Sequence, residues 1–229
     1  MARVQALTES SCIVTLGDTV DPGLSALVCA LDRRVRQALG ATVRDSVPSY
    51  ASLHLSLDPT RLEIGPACRK IEALLETLDE AGPDPSPAQQ IDIPVYYGEE
   101  VAPDLAAVAA ATGLTPDEVV ARHQGRVYRV YAIGFLPGFC FLGSVDEQLR
   151  LPRRETPRDR VPAGSVAIAE AQTAVYPRAT PGGWHLIGRS PVDMLSLCQA
   201  RDHPLGVGDE IRFVAIDRDA FQAAGGDLE

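Results

Sequence analysis

The chain has 229 residues and a mass of 24.5 kDa, enough for one large domain or two small ones, and 45% of it is apolar, so it can bury a core and is not a disordered segment. A formal net charge of −10 excludes a protein that tracks nucleic-acid phosphates or an anionic membrane by clustered positive charge. Only one of the 21 basic residues, Lys70, is a lysine, so any chemistry that needs a lysine must use that one.

The opening MARVQALTES has no apolar run of signal-peptide type, and nowhere do 18 apolar residues follow one another, so a soluble, cytoplasmic chain is expected. SCIVTL predicts a first strand. Asp21-Pro22 then opens a helix as cap and first-turn proline, with Leu24, Leu27, Val28, Leu31, Val35 and Leu39 on one stripe until Gly40 ends it. ATVRDSV and SLHLSLDP predict two strands, the second alternating Leu53, Leu55 and Leu57 with Ser52, His54 and Ser56. Pro66 opens a second helix with Ile71, Leu74, Leu75 and Leu78 on its inner face. AGPDPSPAQQ, residues 81–90, reads as an interdomain linker or long turn. Ile91 to Val95 completes the order β-α-β-β-α-β, a split βαβ or ferredoxin-like arrangement. The expected boundary falls between residues 85 and 86.

Beyond it, a helix is predicted from about Pro103 to Thr112 and another from Thr115-Pro116-Asp117-Glu118, a capping box with proline at the first helical position. After His123 come short apolar runs, VYRVYAIGF, GSVAIA, WHLIGR and EIRFVAI, punctuated by Gly and Pro, which predict a β-sandwich or barrel. The whole is of the α+β class. Five cysteines without a C-x-x-C pair argue against a zinc site or a disulfide framework, and four histidines in separate segments offer no paired metal ligands. There is no P-loop, no H-E-x-x-H and no G-x-S-x-G, and a single helical lysine cannot complete a Ser-Ser-Lys amidase site.

The stretch from Tyr128 to Pro191 carries the candidate chemistry. Glycines such as Gly134, Gly138, Gly182 and Gly183 sit beside prolines and aromatics, so several turns have fixed geometry and let backbone N–H groups approach a ligand. Gln172, Thr173, Tyr176, Trp184 and Arg189 lie within or beside those turns, where a barrel mouth would hold a small polar molecule. Arg150, Arg153, Arg154, Arg158 and Arg160 face only Glu155 and Asp159 locally, and guanidinium forks suit carboxylate or phosphate.

The blocks G-F-L-P-G-F, T-P-R, R-V-P-A-G-S-V, Q-T, Y-P and P-G-G-W-x-L-I-G-R, with VPSYASL and LDP earlier, resemble the family that groups the B component of 5-oxoprolinase with allophanate hydrolase subunit 1 and Kip-type kinase inhibitors. The resemblance covers most of the chain. It implies a cyclophilin-like β-barrel in the carboxy-terminal half and assembly with two partners, a related C component similar to allophanate hydrolase subunit 2 and a larger hydrolase subunit. It further implies ATP-dependent opening of 5-oxo-L-proline to L-glutamate, with antagonism of a sensor histidine kinase or a urea-carboxylase-type module as alternatives. Where the family pattern reads G-G-Q-T-G-x-Y-P this chain has EAQTAVYP, so Glu170, Ala171 and Ala174 stand in place of glycines, and Phe141 stands in place of a tyrosine.

Each candidate has a plain alternative. His123 is a proton-transfer group or a solvent-facing helix-end histidine. Gln172 and Thr173, with Gly182, Gly183 and Arg189, bind the substrate or satisfy turn backbone groups. Tyr176 donates its hydroxyl to a carbonyl or only packs. Arg153, Arg154, Arg158 and Arg160 clamp an anion or are solvated, Trp184 is expected to be buried at a partner interface, and Cys140 is expected to pack.

Overall fold

The computed structural model of the chain describes residues 2–78 and 88–228. They fall into two units, residues 1–87 and residues 88–229, each with its own apolar core.

In the first unit the Asp21 carboxylate accepts the Leu24 N–H at 2.9 Å and starts α1 (Pro22–Leu39), which ends where Gly40 adopts φ +48° and donates its N–H to Arg36 O. Val28, Leu31 and Val35 of α1 pack with Leu53, Leu55 and Leu57 of β4 (Ser52–Leu57). α2 (Ile64–Glu76) starts two residues before Pro66, the predicted opening. β1 (Arg3–Thr8), β2 (Ser11–Thr15), β3 (Val43–Ser49) and β4 form an antiparallel sheet in the order β1-β2-β4-β3.

The strand order differs from the sequence-based one at its two ends. β1 was not predicted, because its side chains are almost all exposed and show no apolar alternation. Ile91 to Val95, expected as the last strand of this sheet, lies instead in β5 (Gln90–Val95) and pairs in parallel with β13 (Glu210–Ala215) of the second unit, Ile93 opposite Phe213. The helix crossover from β4 through α2 would lead to the edge beside β2, and β1 occupies that position. Most of the predicted linker, residues 81–87, lies outside the described residues.

The second unit continues with α3 (Leu105–Thr112) and α4 (Pro116–Gln124), the latter opened by the predicted capping box: Thr115 Oγ1 accepts Glu118 N–H and Glu118 Oε2 accepts Thr115 N–H at 2.7 Å. β6 (Val127–Ile133), β7 (Cys140–Gly143), β9 (Ser165–Ala169), β10 (Gln172–Val175) and β12 (His185–Arg189) join β13 and β5 in a seven-stranded sheet of order β12-β9-β10-β7-β6-β13-β5. Its two edges meet, since Tyr96 and Arg189 exchange backbone hydrogen bonds of 2.8 Å in both directions. The sheet is thereby almost closed into a barrel. Closure depends on Gly188, where a Cβ would come within 2.8 Å of Val95 Cγ1 and 2.9 Å of Tyr96 O. Tyr128, Val130, Leu142, Ile168, Val175, Ile187 and Phe213 fill the interior, so it is a packed core rather than a channel. A two-stranded ribbon of β8 (Arg158–Val161) and β11 (Thr180–Gly182), with the short helices α5 (Met194–Cys198) and α6 (Arg218–Ala223), completes the unit.

Candidate functional site

Successive strand residues face opposite sides, and that alternation sorts the candidate residues. Val166 and Ile168 of β9 and Val175 of β10 turn into the barrel, whereas Ala167, Ala169, Ala174 and Tyr176 belong to a second cluster on the outer wall. The same rule along β7 turns Cys140 and Leu142 inward and leaves Phe139 and Phe141 outside.

On that outer wall four rings gather around Phe139. Phe135, Tyr176 and Trp184 meet it edge-on at centroid distances of 5.4, 5.2 and 5.8 Å, Phe141 at 4.8 Å, and Phe141 also reaches Trp184 at 6.2 Å. Edge-to-face pairs at such distances each contribute about 0.5–1.5 kcal/mol beyond burial. The cluster lines a cleft of about 330 Å³, together with Arg153, Pro157, Pro181, Gly182 and Gly183. Gly182 permits a close approach: a Cβ there would lie 2.5 Å from the Tyr176 hydroxyl. At Gly183 the nearest atom is Pro157 Cβ at 3.7 Å, so that glycine is not sterically required.

The arginine segment is anchored beneath this cleft. Arg154 N–H donates to Gly183 O at 2.8 Å. Buried Asp104 takes Arg158 in a two-armed bond of 2.8 and 2.7 Å, Arg154 Nη1 at 2.8 Å and the Leu186 N–H at 2.7 Å. Burial alone would raise the Asp104 pKa, but the Arg158 and Leu186 hydrogen bonds and the charges of both arginines outweigh it and hold the carboxyl below its ordinary value. Burial likewise raises the Tyr176 phenol, against the charges of Arg153 and Arg158 and a hydrogen bond from the Trp184 backbone N–H, so Tyr176 stays protonated at neutral pH. It is a donor, not a base.

The structure brings Tyr176, Gly182, Gly183, Trp184 and Arg153 together and separates the other candidates from them. Thr173 is fully buried and its Oγ1 lies 2.8 Å from His123 Nε2 inside the barrel; Gln172, one residue earlier, faces the other side. His123 is 0% exposed, with Nδ1 at 2.9 Å from the Tyr97 hydroxyl and its ring stacked on Phe213 at 4.5 Å. It is a core histidine and not a group at the mouth of a site. Arg189 is buried, donates to Asp227 O at 2.7 Å and lines a separate cleft of about 240 Å³ with Gly164, Ser190 and Asp193. The grouping of Gln172, Thr173 and Arg189 at a barrel mouth is therefore not formed.

Among the arginines, Arg154 and Arg158 already carry Asp104, while Arg153 pairs with Glu170 at 3.7 Å through exposed side chains, a contact of little strength. Arg160 is exposed on β8 outside the cleft. Trp184, expected at an interface, is 5% exposed and buried in this chain's own aromatic cluster; the exposed ring is Phe135, 65% accessible and at φ +67°. Sequence reasoning passed over Phe135 although it sits at the tip of the G-F-L-P-G turn. It also missed Asp104, which precedes α3 like a cap but makes no cap hydrogen bond. Among the described residues no cluster of His, Cys, Asp or Glu could hold a metal ion, and no helix is long and apolar enough to cross a membrane.

The family model for the carboxyltransferase domain, subdomains C and D, matches residues 2–205. The chain is 49% identical over 216 residues to the B component of 5-oxoprolinase from Escherichia coli O157:H7, covering 93% of this chain and 95% of that protein. It is 33% identical over an alignment of 235 residues to the B component of 5-oxoprolinase from Bacillus subtilis (strain 168), covering 96% and 95%. The crystal structure of TTHA0988 superposes with a TM-score of 0.76 at 36% identity over 95% of this chain, which spans 40% of that longer one. Kluyveromyces lactis urea carboxylase has the same fold over 97% of this chain and 22% of its own, with a TM-score of 0.71 at 15% identity.

Proposed function

The chain belongs to the family of carboxyltransferase subdomains C and D, and from this premise we propose that it is the B component of an ATP-dependent 5-oxoprolinase that opens 5-oxo-L-proline to L-glutamate. The observation that carries the reading to a site is the placement of Arg153 and Tyr176 on one aromatic-walled cleft. A five-membered lactam presents an apolar ring edge, an amide and a carboxylate. The cleft answers each: Phe139, Phe141 and Trp184 exclude water from the ring, Arg153 exchanges Glu170 for the substrate carboxylate, and the Tyr176 O–H donates to the lactam carbonyl. As a donor with a raised pKa, Tyr176 polarises the carbonyl without taking a proton.

A triphosphate does not fit the described residues. Lys70 is exposed on α2 of the first unit, and Arg154 and Arg158 are both tied to Asp104, which balances one of their two charges, so no cradle for three phosphates is formed among the described residues of this chain alone. We assign ATP to a site supplied or completed by the partners, the cognate C component and a larger hydrolase subunit, in a hetero-oligomeric cytoplasmic hydrolase in which this chain by itself is inactive. Exposed Phe135 is left for the partner that closes the cleft. The nearly closed seven-stranded sheet is read as the cyclophilin-like barrel and the four-stranded unit as a ferredoxin-like sheet whose edge strand comes from the amino terminus.

The test is reconstitution: the purified chain, the C component and the larger hydrolase are mixed with 5-oxo-L-proline and ATP, and glutamate is measured. Glutamate from the full set and none from this chain alone is expected. No product from the full set, with suppression of a sensor histidine kinase's autophosphorylation instead, would overturn the reading in favour of a regulatory binding protein.

A further inference from the structure

Two thiols that the proposed function does not use face each other in the second unit. Cys140, fully buried at the start of β7, and Cys198, partly exposed at the end of α5, have their sulfurs 3.8 Å apart, although they are 58 positions apart in sequence. Sulfurs in hydrogen-bond contact need to close by less than about 2 Å to reach the disulfide length of about 2.05 Å. We propose that Cys198 and Cys140 are a peroxide-oxidisable thiol pair, Cys198 being the attacking sulfur and Cys140 the resolving one.

Exposure and electronics assign the roles. Cys198 has the open side, and the hydrogen bond from the Cys140 S–H lowers its pKa, while the same bond and burial push the Cys140 thiol up. In the first unit Cys12 and Cys68 also share a hydrogen bond, but there burial prevails on both, pushing Cys12 up to about 12 and raising Cys68 as well, so neither thiol of that pair is lowered. The chemistry balances in two steps. The Cys198 thiolate attacks one oxygen of hydrogen peroxide, the O–O bond breaks, and sulfenic acid and hydroxide form; the Cys140 sulfur then attacks the Cys198 sulfur and, with its proton, releases water as the S–S bond forms. Peroxide is reduced to two waters and the two thiols are oxidised to one disulfide.

The bond would join α5 to the turn beneath the aromatic cleft. Gly138, at φ +81°, already lies so close to α5 that a Cβ would stand 2.7 Å from Leu195 Cα, and Phe139 and Cys140 follow it directly. Oxidation would therefore fix α5 against the turn that carries Phe135 and Phe139.

The experiment treats the full chain with a small excess of hydrogen peroxide, digests it with trypsin without reductant and identifies linked peptides by mass spectrometry, with thermal unfolding in parallel. Expected are a species linking Val130–Arg150 to Ser190–Arg201, a fall in free thiols from five to three, a Tm raised by several degrees, and full reversal by dithiothreitol. Cys198→Ser, a change at a partly exposed position, abolishes the linkage and the Tm shift. Absence of that linked species at a peroxide level that oxidises other thiols of the chain, or Cys198 advancing to sulfinic acid with Cys140 unlinked, would overturn the proposal.

Discussion

His123 is a buried polar group whose desolvation is compensated by complete hydrogen bonding: Thr173 Oγ1 on one nitrogen, the Tyr97 hydroxyl on the other. Burial pushes its pKa down to about 3. In the unfolded chain the imidazole titrates near its ordinary value of about 6.5, so between these limits protons bind the unfolded chain preferentially. The stability contributed by the neutral ring is full above pH ~6.5 and is lost as pH falls toward ~3, at about 1.4 kcal/mol per pH unit. Urea unfolding of His123→Gln is expected to give a shallower loss of stability between pH ~6.5 and ~4.5 than the wild type; equal slopes would contradict the assignment. The sequence placed His123 at a helix end, and it is there, but not which way it points. That is decided by a strand partner 50 residues later, and no local pattern encodes it. Glu170 teaches the same lesson: it holds φ +54° where the resemblance has glycine, so the turn keeps the left-handed backbone at a cost of about 1–2 kcal/mol. Asp104 was equally illegible, because a carboxylate before a helix reads as a cap and its arginines lie 50 and 54 residues away.

Elements with a strong apolar period were legible. The stripe of α1, the alternation of β4 and the capping box of α4 all stand where the residues put them, because burial and capping act within a few residues. β1 and the pairing of β5 were not. β1 is an edge strand with exposed side chains, and β5 buries Ile93 and Val95 equally well in any sheet that offers an open edge, so its partner is chosen by topology rather than by pattern. The position of β1 has a mechanical consequence. It covers the outer edge of β2, whose Cys12 to Ala6 and Val14 to Val4 pairings would otherwise be open. Deleting residues 2–9 leaves that edge unpaired, and the truncated chain is expected to self-associate by edge pairing, measured by light scattering after size-exclusion chromatography. A truncated chain that stays monomeric at the concentration where the full chain does would contradict this role.

For the molecule as a whole, the glycine-rich turns singled out in the sequence line an aromatic cleft, while the side of the sheet on which it lies was not legible. The turns stand around the cleft, yet they serve the outer wall of a filled barrel and not its mouth, because interior volume is taken by Tyr128, Phe213 and the aliphatic residues between them. Five herringboned rings form a wall that needs no partner to hold its shape, and Asp104 fixes the arginine segment from behind. On the proposed reading, the chain contributes binding and orientation of a small anionic lactam, and the nucleotide is brought by the other components of the complex.

The most direct measurement is steady-state turnover of 5-oxo-L-proline by the assembled complex carrying Arg153→Ala or Tyr176→Phe, with assembly verified separately. A loss in kcat/KM of ~10-fold or more for each is predicted, chiefly through KM for Arg153→Ala and through kcat for Tyr176→Phe. Two variants that assemble normally and turn over at the wild-type rate would contradict the account.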